Sequence, residues 1–156
     1  MTDFKALLRT LADAGVEFIL VGGVAGTVHG ATRLTLDVDA VYRRSPANIE
    51  RLVLALTPHH AYLRGAPPGL PFRWDAATIQ RGLNFTLTTD IGDLDLLGEI
   101  AGGGTYEDLL PHCVPIQVFG VGRSAPPPGR AGSHTGNAGL RLRRGWDEVG
   151  SLWADD

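Results

Sequence analysis

The apolar positions of this chain follow two alternating rhythms. Leu7, Leu8, Leu11 and Ala14 fall on one helical face and Gly15 follows them, so the pattern predicts a helix from Asp3 to Ala14. The run Glu17-Phe18-Ile19-Leu20-Val21 reads as a strand that ends at Gly22-Gly23, with one or two helical turns from Val24 to His29 before Gly30. Leu34 to Tyr42 reads as a second strand. Its period of two puts Thr35, Asp37, Asp39 and Val41 on one face and Leu36, Val38 and Ala40 on the other.

Ser45-Pro46 opens the next helix with an N-cap and a proline at the first helical position, and Ile49, Leu52, Val53 and Leu56 form its apolar stripe up to Thr57-Pro58. From His59 to Asp75 the chain is rich in Pro and Gly and reads as a long loop, with a helical turn added over Asp75 to Gln80. Leu83 to Thr89 and Asp93 to Leu97 form a hairpin through Asp90-Ile91-Gly92, Thr105 caps a short helix through Leu110, and Val114 to Phe119 reads as a last strand. The alternation predicts an α/β (α+β) fold, a small mixed sheet flanked by helices.

Composition changes this picture in the tail. Residues 1–120 read as one domain, whereas residues 121–156 form an atypical Pro/Gly/Arg-rich tail in which Arg123 to Arg144 brings arginines and Pro126 to Pro128 without a carboxylate. Trp146, Val149, Leu152 and Trp153 recur at helical spacing and could form a short C-terminal helix. The tail is read as a basic arm, or as a stretch whose reading frame differs from the ancestral one. At 156 residues the chain can bury one proper core, and 44% hydrophobic against 20% charged residues suits a folded body.

The net charge of -3 argues against a broad basic surface that wraps nucleic acid. A single cysteine, Cys113, forms no internal disulfide and reads as a buried small residue. The start Met1-Thr2-Asp3-Phe4-Lys5 lacks the features of a signal peptide and no apolar stretch reaches about 18 residues, so a cytoplasmic protein with no membrane partner is expected.

The chemistry sits in the spaced carboxylates. Asp37 and Asp39 at i and i+2 of an apolar strand place two negative charges on one face about 7 Å apart. A partly desolvated pair of this kind is costly without a cation, and Mg²⁺ or Mn²⁺ takes oxygen ligands while keeping phosphates as partners. A third carboxylate would complete the site. Asp95, within the apolar run Leu94 to Leu97, is favoured, and Asp93, on the same strand face, is the alternative and reads more as a turn residue. A solvated edge strand with two surface carboxylates is the plain alternative for Asp37 and Asp39. Arg33, four residues before Asp37, could pair with a site carboxylate, reach a phosphate or lie on a loop surface. His29 could contact substrate but suits better a helix-end histidine satisfied by backbone. His59, His60 and His112 lack ligand spacing and read as surface residues, and Trp74 suits core packing better than stacking on a base.

Val21-Gly22-Gly23-Val24-Ala25, His29-Gly30, Arg33-Leu34-Thr35-Leu36-Asp37-Val38-Asp39 and Asp95-Leu96-Leu97 together resemble the signature of the nucleotidyltransferase-fold superfamily related to DNA polymerase beta. Within it the chain is most similar to abortive-infection toxin nucleotidyltransferases and their minimal single-domain relatives, over roughly Phe4 to Val118. The resemblance implies that Asp37, Asp39 and Asp95 hold Mg²⁺ or Mn²⁺ and carry catalysis, with Asp95 helping to deprotonate the acceptor hydroxyl. Gly22 and Gly23 would let backbone N–H groups approach a nucleoside triphosphate, with Arg33 and Thr35 grouped beside them as nucleotide-binding residues. The implied reaction transfers a nucleoside monophosphate to a hydroxyl on RNA, protein or a small molecule, in a toxin–antitoxin or phage-defence setting with an antitoxin partner. A non-catalytic nucleotide- or partner-binding module is the alternative. Two departures stand out: many members have Gly-Ser in place of Gly22-Gly23, and the basic helices that follow the family's last strand have no counterpart in residues 123–156.

Overall fold

The computed structural model describes residues 2–21, 37–115 and 140–143. Helix α1 (Phe4–Asp13) is capped by Asp3, whose carboxylate accepts the Ala6 N–H at 2.9 Å. Leu7, Leu8, Leu11 and Ala12 are its buried face. Gly15 follows at φ +76°, a left-handed position at which glycine ends a helix without strain. Strand β1 (Phe18–Val21) is buried throughout, and β2 (Asp37–Tyr42) pairs with it antiparallel.

Ser45 caps α2 (Pro46–Leu56), which buries Ile49, Leu52, Ala55 and Leu56 as its apolar stripe requires. A single 3-10 turn over Thr57–His59 carries the chain into β3 (Tyr62–Leu63). This strand lies inside the segment read as a long loop; two residues are too few for an alternating pattern to stand out among the surrounding prolines and glycines. Helix α3 (Ala76–Arg81) is capped by Asp75, and the hairpin of β4 (Phe85–Thr89) and β5 (Gly92–Leu97) follows. The short pair β6 (Glu99–Ile100) and β7 (Gly104–Thr105) leads into α4 (Tyr106–Leu109), capped by Thr105, and then β8 (Cys113–Pro115).

One further strand, β9 (Leu140–Arg143), lies in the segment read as an arm. It runs parallel to β1 and antiparallel to β8, so this part of the tail belongs to the sheet. The expected short helix around Trp146 to Trp153 lies outside the described residues. The sheet runs β3-β4-β5-β2-β1-β9-β8, mixed in direction, and the mixed α/β class expected from the pattern is observed.

The two faces of the sheet have different duties. On one, Phe18, Leu20, Val38, Ala40, Leu87, Leu94 and Leu96 pack with the buried residues of α1 and α2 and with Ile79 of α3. The other face is divided: Ile19, Val21 and Val41 pack with Ile100, Tyr106, Leu109 and Cys113, while the neighbouring ends of β2 and β5 carry polar residues. Buried Asn48 ties the start of β1 to the end of β2. Its side chain accepts the Glu17 N–H at 2.7 Å and donates to the carbonyls of Glu17 and Arg43 at 3.0 and 2.8 Å. No described helix is long and apolar enough to cross a membrane.

Candidate metal centre

Strands β2 and β5 lie side by side in parallel, with Asp37 opposite Asp93 and Asp39 opposite Asp95. Residues directly across a ladder share a face, as do residues two apart along a strand. The four carboxylates therefore mark a square on the face turned away from α1 and α2. Oxygens of Asp37, Asp39 and Asp95 lie within 4.8 Å of one another. Asp93, read as a turn residue, is instead a member of β5 and forms the remaining corner, because the turn ends at Gly92.

The same register places polar groups beyond the square. Thr86 stands across from Asp95, Thr88 from Asp93 and Tyr62 from Thr88. Arg64, directly after β3, donates its backbone N–H to Thr86 O at 3.0 Å, which extends the polar row to the sheet edge. Its guanidinium lies over three corners of the square, with ion pairs to Asp95 at 2.5 Å, Asp37 at 3.4 Å and Asp93 at 3.5 Å.

Electrostatics set the state of these groups. Two like charges at the outer limit of 4.8 Å repel by on the order of 3 kcal/mol at an effective dielectric of about 20, before screening. Burial is the largest influence on Asp39, and the charges of Asp37 and Asp95 add to it, so its pKa is pushed up to about 7. Burial also raises the pKa of Asp95, against the pull of Arg64, with Asp37 adding to the rise. Burial works against the charge on Arg64, yet Asp95, Asp93 and Asp37 together hold its pKa above the ordinary guanidinium value.

The donor set suits a hard cation, since all three groups offer carboxylate oxygen and neither nitrogen nor thiolate. On one octahedral Mg²⁺ neighbouring oxygens are about 3.0 Å apart and opposite ones about 4.2 Å, so the three carboxylates, within 4.8 Å of one another, would draw inward to close around an ion. Asp37, Asp39 and Asp95 could thus hold a divalent metal between them.

The expected nucleotide-binding residues Gly22, Gly23, Arg33 and Thr35 lie outside the described residues. Trp74 packs against the main core and donates its indole N–H to Val53 O at 3.1 Å, in accord with a packing use. His59 and His60 both contact Asp90 in the hairpin turn, away from the square, and Cys113 is buried. Arg64 is the site residue that sequence reasoning missed. The sequence signal was too short to mark it: Ala61 and Leu63 alternate with Tyr62 and Arg64 over a single two-residue strand, and only its pairing with β4 points Arg64 to the polar face. Compared with known proteins, the chain matches no family model, no curated protein and no solved structure.

Proposed function

We propose that the chain is a metal-dependent nucleotidyltransferase of the nucleotidyltransferase fold, which moves a nucleoside monophosphate from a nucleoside triphosphate to a hydroxyl on RNA, protein or a small molecule. The observation that carries the reading is the convergence of Asp37, Asp39 and Asp95 oxygens within 4.8 Å on one sheet face. Bound Mg²⁺ or Mn²⁺ would supply neutralisation of the triphosphate and a lowered pKa for the attacking hydroxyl. Asp37 and Asp39 would anchor the ion, and Asp95 would take the acceptor's proton. The acceptor oxygen then bonds to the α-phosphorus as the bond to the bridging oxygen breaks, and pyrophosphate leaves with that electron pair. The Gly22-Gly23 turn, with Arg33 and Thr35, is assigned to the triphosphate from the sequence resemblance. A cytoplasmic toxin–antitoxin role, with an antitoxin partner, rests on that resemblance as well.

The ion pairs of Arg64 with three of the aspartates favour a second reading, because they offset part of the cluster's charge without any metal. Under it the chain is a non-catalytic nucleotide- or partner-binding module that retains the fold. Incubation with each labelled nucleoside triphosphate, Mg²⁺ and cellular RNA and protein separates the two. Transfer by the wild type should fall at least about a hundredfold in Asp95→Asn while nucleotide affinity changes little, the scale of losing a general base. Nucleotide binding without labelling of any acceptor supports the module. Transfer that persists in Asp95→Asn moves the third carboxylate to Asp93.

A further inference from the structure

The geometry points to Arg64 as an internal cation that holds the carboxylate square before metal binds and, once a divalent ion takes Asp37, Asp39 and Asp95, turns outward to grip the phosphate tail of the substrate. This inference rests on the metal reading of the site.

Arg64 and the ion draw on the same groups. Its guanidinium bonds Asp37 Oδ2 and Asp95 Oδ1, and both residues belong to the trio that could ligate a metal. One positive charge against four aspartates leaves an excess of negative charge, which a divalent ion offsets better. Arg64 pairs with Asp37, Asp93 and Asp95, and among the described residues Asp39 is the corner with which it makes no ion pair. When an ion neutralises Asp37 and Asp95, the attraction that holds the guanidinium weakens, and the positive ion repels it.

The surroundings of Arg64 permit the move. It leaves the end of the edge strand β3, and its side chain is 27% exposed. Gly65 next to it has φ +75°, and among the described residues beyond its chain neighbours no atom lies within 4 Å of where a Cβ would stand. A planar guanidinium released beside an ion-bound triphosphate has the fork that matches phosphate oxygens in pairs. A fixed clamp that keeps the carboxylates in place would behave oppositely, because its loss would loosen the metal site.

Calorimetric titration of Mn²⁺ alone, then of the Mn²⁺ complex of inorganic triphosphate, into wild type, Arg64→Met and Arg64→Lys tests this. Arg64→Met should bind Mn²⁺ about tenfold tighter or more, since an internal competitor is gone, yet bind the triphosphate complex about tenfold weaker. Arg64→Lys keeps the charge and should match wild type for Mn²⁺ within a few-fold, while losing triphosphate affinity with the paired bonds. If wild type binds Mn²⁺ and Arg64→Met binds it equally or more weakly, Arg64 is a fixed clamp and the inference fails while the metal site stands. If neither chain binds Mn²⁺, the metal reading itself fails and takes this one with it. Should Arg64→Met not fold, as read by circular dichroism, unchanged triphosphate affinity in Arg64→Lys overturns the role.

Discussion

Asp39 and Asp95 face each other across the parallel pair β2 and β5, and burial holds both carboxyls above their ordinary pKa. For Asp39 the folded value is about 7 against 3.8 for an ordinary aspartate. Between those values the folded state holds a proton that the unfolded chain has released. The stability this proton contributes is fully present below pH 3.8 and is lost as pH rises through about 7. Asp95 acts in the same direction. Urea unfolding of metal-free protein across this range should therefore give a midpoint that drops with rising pH, and Asp39→Asn should flatten the slope. A midpoint that rises over the same window in both proteins contradicts the assignment.

Metal and nucleotide together should stabilise the native state. With ion and nucleoside triphosphate at about a hundred times their Kd, the melting temperature should rise by about 5–10 °C. The double variant Asp37→Ala, Asp39→Ala should show none of this rise. In the absence of metal it should melt higher than wild type, because two of the crowded carboxylates are gone.

Gly92 opens the strand that carries Asp93 and Asp95, and its φ is +137°. A Cβ there would stand 2.4 Å from Thr2 Cγ2, and Thr2 Oγ1 accepts the Asp93 N–H at 3.0 Å. Gly92→Ala thus combines backbone strain with a clash at the foot of the site. It should cost about 1–3 kcal/mol in denaturant unfolding and weaken Mn²⁺ binding through displacement of β5. Loss of stability with unchanged Mn²⁺ affinity would confine the effect to the turn.

Asn48 is fully buried, and its three hydrogen bonds join segments that flank β1 and β2. Asn48→Ala leaves the Glu17 N–H and the Arg43 carbonyl to find other partners inside the fold, while the Glu17 carbonyl keeps the Arg43 N–H. A loss of about 2–4 kcal/mol is expected, measured by urea unfolding. A change below about 0.5 kcal/mol, the scale of neutral surface substitutions, would show that water replaces the amide without penalty.

How much of this could be read in advance follows from the range of each signal. Helices α1 and α2 were readable because cap and apolar stripe are local: Asp3 and Ser45 cap them, and Leu7, Leu8, Leu11, Ile49, Leu52 and Leu56 fill one side. The trio of aspartates was readable for a related reason, since period-two alternation puts Asp37 with Asp39 and Asp93 with Asp95, leaving only the pairing of the two strands to be guessed. Arg64 was hidden because its position depends on β3 joining β4, a pairing of two residues at the sheet edge. Strand β9 was hidden more deeply. Its Leu-Arg-Leu-Arg run lies in a stretch dominated by glycine and arginine, and its partners, β1 and β8, come much earlier in the chain.

The parallel pairing of β2 with β5 also governs when the site comes into being. These strands are neighbours in space but are separated in sequence by α2, β3, α3 and β4, and such non-local contacts form slowly because a long loop must close first. The β4–β5 hairpin can assemble early, and the last approach brings Asp93 and Asp95 against Asp37 and Asp39, four acidic groups converging at once. Docking of the hairpin onto β2 is therefore a folding step opposed by electrostatic repulsion. Acid that protonates these carboxyls, or a cation that bridges them, should hasten that step.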